Sequence, residues 1–481
     1  IGLPNATSVA SDWNTATPSP VDNFDEHDNV YDTLISAKKI TSSDVLRVIR
    51  KITWTTGTIY EMYRPDYSIN KLSPQTNSSS LYKANFYVMN KDFRVYECIY
   101  NGASPSNSGG GVISLEEPTH TDLQPRLESD GYIWKYLYTI KPSDIIKFDS
   151  AEFIPVPANW STNTDVSDVR NAAVDGKIET IVIEDVANAT YQFSGTKNAV
   201  PIRGDGSDGL ASVTFINGKP SAVQVTNGGS GYSFGTLDLD DVVTGSGASF
   251  SVIVPPPGGH GADIYRELGA NKVLVYSRIE NSDVTNPDFP TGNQFARIGI
   301  IENPQQFGSN NLLTASSASG VYGLRLAGAA TTSMSVAIDG EITQTVGVGS
   351  TAVGQIIGYD PITRSLQYWQ DRSLATNDSS GNKPTFGYKL NRFTATPASG
   401  GNTNLIVTTT GGTETLSIDT GFTGVSTTVN SRTYYFGQTY NSGLANPEIK
   451  KYSGNIIYVD QRPEVTRATN QREDIKIILE F

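Results

Sequence analysis

Cysteine and histidine are almost absent, at one Cys and three His in 481 residues. A lone cysteine excludes an internal disulfide framework, and the two scarcities together exclude zinc sites of the finger type. Cys98 sits in the alternating run Val95-Tyr-Glu-Cys-Ile-Tyr100, where it reads as a small buried apolar side chain rather than a nucleophile. No apolar run approaches the roughly 18 residues of a membrane-spanning helix. No signal peptide is read, and Ile1-Gly-Leu-Pro4 looks like the end of a strand, so residues are expected ahead of it. Basic residues are in deficit, 36 against 49 acidic, for a net charge of −13. That balance disfavours duplex nucleic acid, whose phosphates need clustered Lys and Arg.

Catalytic signatures are also scarce. No G-x-x-x-x-G-K-[ST] loop occurs, and H-E-x-x-H cannot be built from these histidines. Gly204-Asp-Gly-Ser-Asp-Gly209 has the dinucleotide-binding spacing, but the alternating residues after it predict a strand, so it reads as a hairpin turn. Asp25-Glu-His-Asp28 offers metal-ligand chemistry, yet four adjacent residues cannot converge on one ion in an extended segment. It is read as part of a solvated opening loop. His120 and His260 stand apart, one in a polar loop and one between glycines, and are expected at the surface or a hinge. Glu116, Glu117, Asp130 and the Asp238/Asp240/Asp241 group are the carboxylates from which a glycosidase pair would be drawn.

What is plentiful is Gly, at 45 residues, with Ser, Thr, Asn and Tyr, while apolar residues make up 37%. This composition predicts a β-rich, loop-rich chain, long enough for several domains. Thr41-Ser-Ser-Asp44 looks like a cap for a helix near 42–52, because Val45, Leu46, Val48, Ile49 and Ile52 form a helical stripe. From 83 to 100 the period becomes two, as in paired strands. Residues 165–260 alternate glycine turns with short strands such as Ala211-Ser-Val-Thr-Phe215, and 312–440 is a second Thr-, Ser- and Gly-rich stretch, with a strand expected over 333–338. Ten tyrosines and Trp134, from Tyr60 to Tyr138, crowd into about eighty residues. Either both faces of their strands are core, or one face is an interface or a sugar-stacking surface.

The end of the chain holds two apolar runs, Asn455-Ile-Ile-Tyr-Val459 and Ile475-Lys-Ile-Ile-Leu479, separated by fifteen mostly polar residues that include Arg462-Pro463. Pro463 donates no ladder hydrogen bond, which suits an extended assembly arm. A strand with Tyr458, then Arg462-Pro463-Glu464, a polar crossing through Arg467 and an alternating strand ending in Phe481 resembles the baseplate wedge subunit called gene product eight in T-even-like contractile-tailed phages. Tyr87-Val-Met-Asn90, Val95-Tyr-Glu-Cys-Ile99, Asp130-Gly-Tyr-Ile-Trp-Lys-Tyr-Leu-Tyr138 and Phe153-Ile-Pro-Val-Pro157 follow in the order of that family's strands, and 295–304 is a third match. The resemblance covers about half the chain in separated blocks.

The expected fold is mainly β with a few short helices, a multidomain antiparallel β-sandwich-like core carrying inserted β domains. Residues 1–164 would begin a discontinuous core, 165–260 form a Gly-rich insert, 261–311 return to the core, 312–440 form a second insert and 441–481 close the core. The resemblance implies a virion structural protein of the tail baseplate, not an enzyme and without cofactor. Its partners would be a second copy and neighbouring wedge subunits, with no nucleic acid and no membrane. Tyr458, Arg462, Pro463, Arg467 and Phe481 are the interface candidates. The alternative is a receptor-binding or glycan-degrading tail protein.

Overall fold

The computed structural model describes residues 1–4, 10–239, 242–280, 294–328, 334–370, 391–466 and 471–480, with backbone only for Ala10, Ser11, Asp12 and Asp25. Strands make up 44% and helices 9%, arranged in several antiparallel sheets, so the mainly β class holds. Among the described residues no helix is long and apolar enough to cross a membrane. The chain divides into two compact units, Ile1–Ile40 with Ser277–Ile475, and Thr41–Tyr276 with Lys476–Phe481.

In the Thr41–Tyr276 unit, one four-stranded sheet runs in the order Tyr87–Met89, Arg94–Tyr100, Ile133–Thr139, Arg126–Leu127. Val95, Tyr96, Glu97, Cys98 and Ile99 are all buried, so neither face of the central strand meets solvent. Tyr60, Tyr63, Tyr67, Tyr87, Tyr96, Tyr132, Trp134 and Tyr138 are buried with them, which decides the aromatic cluster in favour of core on both faces. Cys98 is a free, buried thiol in that core. A second core gathers Ile178, Val200, Ile202, Ala211, Val213, Phe215 and Tyr232. It lies on the sheet Lys219–Ser230, Ser207–Ile216, Gly195–Gly204, Gly235–Leu237 and on the pair Ser249–Ile253 with Thr180–Asp185. Gly204-Asp-Gly-Ser-Asp-Gly209 forms the link between the antiparallel strands Gly195–Gly204 and Ser207–Ile216, as the hairpin reading expected.

The helix expected near 42–52 is a strand. Only Ser42–Asp44 makes a turn of 3-10 helix, with the capping box of Thr41 and Asp44, and Val45–Arg50 is extended. Val48 stands opposite Lys272 on one side and Pro155 on the other. Helical spacing was present, but β-branched Val and Ile between two partners gain more from the pleated surface than from an isolated helix.

In the other unit, nine strands drawn from 322–445 form one antiparallel sheet with Leu324, Ile342, Ala352, Ile356, Leu366, Leu405 and Val407 buried on it. The strand expected over 333–338 is reduced to a single bridge between Val336 and Thr409, and Ser333 lies outside the described residues. The opening loop of the sequence reading is a correction too, because Phe24–Asp32 is helical. Asn23 caps it, its side chain accepting from Glu26 N at 2.8 Å.

Gln294–Glu302 pairs antiparallel with Asn455–Thr466, a strand that continues straight through Arg462-Pro463. Gln461 faces Arg297 and Val465 faces Phe295, so the proline falls where the register shifts and no ladder donor is required of it.

Candidate functional site

Three titratable side chains from separate elements of the Thr41–Tyr276 unit converge in its core. Glu97 comes from the middle of the strand Arg94–Tyr100, His260 from the turn before the short helix Ile264–Glu267, and Glu267 from the end of that helix. The helix is started by Asp263, whose carboxylate accepts from Tyr265 N at 3.1 Å and Arg266 N at 3.3 Å. The turn is glycine-dependent. Gly259 has φ +89°, and a Cβ there would lie 2.3 Å from the Val174 carbonyl oxygen.

His260 Nδ1 is 2.8 Å from Glu267 Oε1 and 2.9 Å from Glu97 Oε2, and all three ligand atoms lie within 4.8 Å of one another. The hydrogen bond goes to Glu267, which also accepts from Gly261 N at 2.7 Å. Neither Glu97 oxygen receives a hydrogen bond, although the residue is fully buried. The Tyr63 ring meets the imidazole edge-on at 4.8 Å. Lys135, directly across the ladder from Glu97, is also buried and donates to the Leu123 carbonyl at 3.0 Å.

Burial, reinforced by the charge of Glu267, pushes the Glu97 carboxyl well above the usual carboxylate range. Burial opposes a charge on His260 as well, but the two carboxylates outweigh it and raise the imidazole to about 10. Glu267 is held below its ordinary value, burial being overcome by the His260 contact. The arrangement is therefore a buried Glu267–His260 ion pair with a second carboxyl, Glu97, biased towards its neutral form and held against it. It can pin the turn to the sheet, and it presents one imidazole nitrogen and two carboxylates to a common point.

The expectation of a surface position fails for both isolated histidines, which are buried. His120 is buried edge-on to Tyr96 at 5.4 Å. The cluster at 260 escaped the sequence reading because its members are 163 and 7 residues from His260. The available signal was a charged residue, Glu97, at the centre of a run that packs on both sides.

The other candidates scatter. Glu26 pairs with Arg297 at 2.8 Å, and His27 lies 3.1 Å from Asp22, so this segment does not converge on one point. Asp130 accepts from Leu115 N at 2.8 Å, Glu116 N at 3.0 Å and Tyr132 N at 3.1 Å, which makes it a turn brace. Glu117 accepts from Lys91 N at 3.0 Å, Asp238 lies 3.6 Å from Arg203, and Asp240 and Asp241 are outside the described residues. The sequence was expected to lack a G-x-S-x-G nucleophile elbow, and this is a correction, because Gly231-Tyr-Ser-Phe-Gly235 has that spacing. Ser233 lies between two strands rather than before a helix, and its hydroxyl and N–H both donate to Asp205. Trp134 is fully buried and offers no ring face to a sugar.

Of the interface candidates, Tyr458 is half-buried while Arg462 and Pro463 are exposed. Arg462 Nε donates to Asp460 at 3.1 Å, and the Arg462 carbonyl accepts from the Trp13 indole. Arg467 and Phe481 lie outside the described residues. These geometries define a mainly β, multi-sheet protein whose described residues include a buried Glu97–His260–Glu267 cluster. Comparison with known proteins matches the chain to no family model, no curated protein and no solved structure.

Proposed function

We propose that this chain is a structural subunit of the contractile phage tail, a baseplate wedge component that holds neighbouring subunits together and rearranges on contraction, acting without a catalytic step or cofactor. The observation that carries the reading is the strand Asn455–Thr466. It pairs along one edge with Gln294–Glu302, and no other strand pairs with its second edge among the described residues. Trp13 donates to the Arg462 carbonyl and Glu464 N donates to Asn14, so the helix Ala10–Thr15 occupies the strand at 462–464, and 455–461 is the stretch left to accept a strand from another chain. Asp460 lies near the end of that stretch and Pro463 just beyond it, so a partner must match a charge and stop short of the proline, which gives selectivity. A second copy and adjoining wedge subunits are the partners this implies, in the virion rather than on nucleic acid or a membrane.

The alternative, a receptor-binding or glycan-degrading tail protein, draws on a cleft of about 360 Å³ lined by Gln306, Phe307, Thr314, Thr439, Asn446 and Glu448. An exposed aromatic ring among amides and hydroxyls suits a sugar. Gold-labelled antibody microscopy on intact particles and on tails stripped of fibres separates the two. Label at the baseplate in both samples supports the wedge reading, whereas label that leaves with the fibres, or none, overturns it.

A further inference from the structure

We infer that Glu97, His260 and Glu267 form a binding site for a single divalent first-row transition-metal cation, of the zinc or manganese type. The argument begins with one proton and two acceptors. His260 Nδ1 lies 2.8 Å from a Glu267 oxygen and 2.9 Å from a Glu97 oxygen, and a ring nitrogen carries at most one hydrogen. That hydrogen goes to Glu267.

Glu97 is then left fully buried with both oxygens lacking a donated hydrogen bond. A buried carboxyl group without a partner is costly, and such groups are found protonated, paired or bound to metals. The remaining cation nearby, the Lys135 ammonium, is bonded to the Leu123 carbonyl oxygen instead.

A metal ion would resolve this frustration: binding displaces the Nδ1 proton and any proton on Glu97 to solvent, and one cation then accepts electron pairs from all three groups at once. One imidazole nitrogen with two carboxylates is a donor set that suits zinc, manganese or ferrous iron, and is too rich in nitrogen for a typical calcium site. The donors arrive from a strand, a glycine turn and a helix, so a bound ion would tie three elements together. Gly261 N, bonded to Glu267 Oε2 at 2.7 Å, orients that carboxylate from behind, as outer-shell donors do in metal centres. The role is structural: the ion would clamp the 258–261 turn and the helix behind it onto the aromatic sheet. It is independent of the wedge reading, since a clamp of this kind serves an enzyme or an assembly protein equally.

The test is cobalt titration of the full chain after chelation and dialysis, followed by visible absorption and by metal content after gel filtration. The expected result is close to one equivalent retained, visible bands of nitrogen and oxygen coordination, and displacement by zinc. Thermal unfolding should shift upward by several degrees with one equivalent of zinc. His260→Gln and Glu267→Gln should each lower retention at least tenfold, while His27→Gln, at the exposed pair with Asp22, should leave it unchanged. Retention below a tenth of an equivalent in the unmodified chain overturns the inference and leaves a proton shared between the carboxylates. Retention that survives both site variants, or that disappears with His27→Gln, overturns it as well. If the site variants do not fold, the cobalt spectrum and retention of the unmodified chain decide alone.

Discussion

The indole N–H of Trp13 donates to the carbonyl of Arg462 at 2.9 Å, joining residues 449 positions apart in sequence. Trp13 is only 1% exposed, and the Arg297 guanidinium lies 5.2 Å from its ring. The Arg462 carbonyl is thus occupied from the N-terminal segment, next to the register shift at Pro463. Trp13→Ala should destabilise this unit by about 3–5 kcal/mol, combining lost burial with a cavity. Trp13→Phe keeps most of the ring and should cost about 1 kcal/mol for the hydrogen bond, together with some lost packing. Urea unfolding followed by far-UV circular dichroism measures both; a Trp13→Phe loss near zero would show that the bond contributes nothing separable, and equal losses would show that the buried ring does not.

The Glu267–His260 pair gives a second expectation. Removing one partner strands the other as a buried charge, so His260→Ala in metal-free protein should cost about 3–5 kcal/mol. The double variant His260→Ala with Glu267→Gln should cost less than the sum of the single changes, because the Glu267 charge is then no longer stranded beside the missing imidazole. Strict additivity in chemical denaturation would mean that the two side chains do not interact.

Asp66 supplies a pH dependence. Arg64 clasps its carboxylate through Nε at 3.0 Å and Nη2 at 2.8 Å, and Lys71 adds a contact at 2.9 Å. Burial works to raise its pKa, but these cations outweigh it and lower the carboxyl from 3.8 to about 2. The folded value lies below the unfolded one, so the stabilisation is complete above the unfolded pKa and is lost as pH falls from about 4 towards 2. Asp66 is 43% exposed, and solvent screening reduces the contribution to about 1 kcal/mol. Stability curves of the unmodified chain and Asp66→Asn should converge in that window and separate above it. Curves that stay parallel would remove the role of Asp66.

Backbone geometry gives a local test with an internal control. Gly259 and Gly57 both have positive φ, +89° and +81°, but only Gly259 would place a Cβ against a neighbour, the Val174 oxygen. Gly57→Ala should cost about 1–2 kcal/mol for the left-handed conformation alone. Gly259→Ala should cost clearly more, because the turn carrying His260 must also move. The comparison is a pair of thermal melts, and equal shifts would mean that the turn yields freely.

The sequence conveyed strands better than it conveyed their neighbours. Alternation in Ala211-Ser-Val-Thr-Phe215 and in Leu405-Ile-Val-Thr408 reports one buried face directly, and both are strands. Val45 to Ile52 misled because a short apolar run satisfies either period, and the partners that settle it, Lys272 and Pro155, are remote. The helix Phe24–Asp32 was hidden by its charge, since Glu26 is drawn to Arg297, a contact that no local pattern reveals. The same limit hid the buried cluster. Glu97 looks like an ordinary strand residue until the opposite face of its strand proves to be covered, and His260 looks like loop until Glu267 is brought beside it.

The last expectation concerns the open edge. Ile456 faces Ile301 and Tyr458 faces Ile300, so Ile457 sits at a register shift, and it is 57% exposed. A bulge turns a side chain out of the ladder, and an apolar residue held there rests on no described core cluster. If the proposed edge is where a second copy docks, Ile457→Lys should leave circular dichroism and the melting temperature within about 0.5 kcal/mol of the unmodified chain. The same change should lower the mass in solution from dimer to monomer, since a desolvated ammonium is costly in a packed interface. Sedimentation equilibrium reads the mass. A dimer that persists would place the contact elsewhere and remove the observation on which the assembly reading rests, and an unmodified chain that is already monomeric would confine this edge to contacts with other subunits.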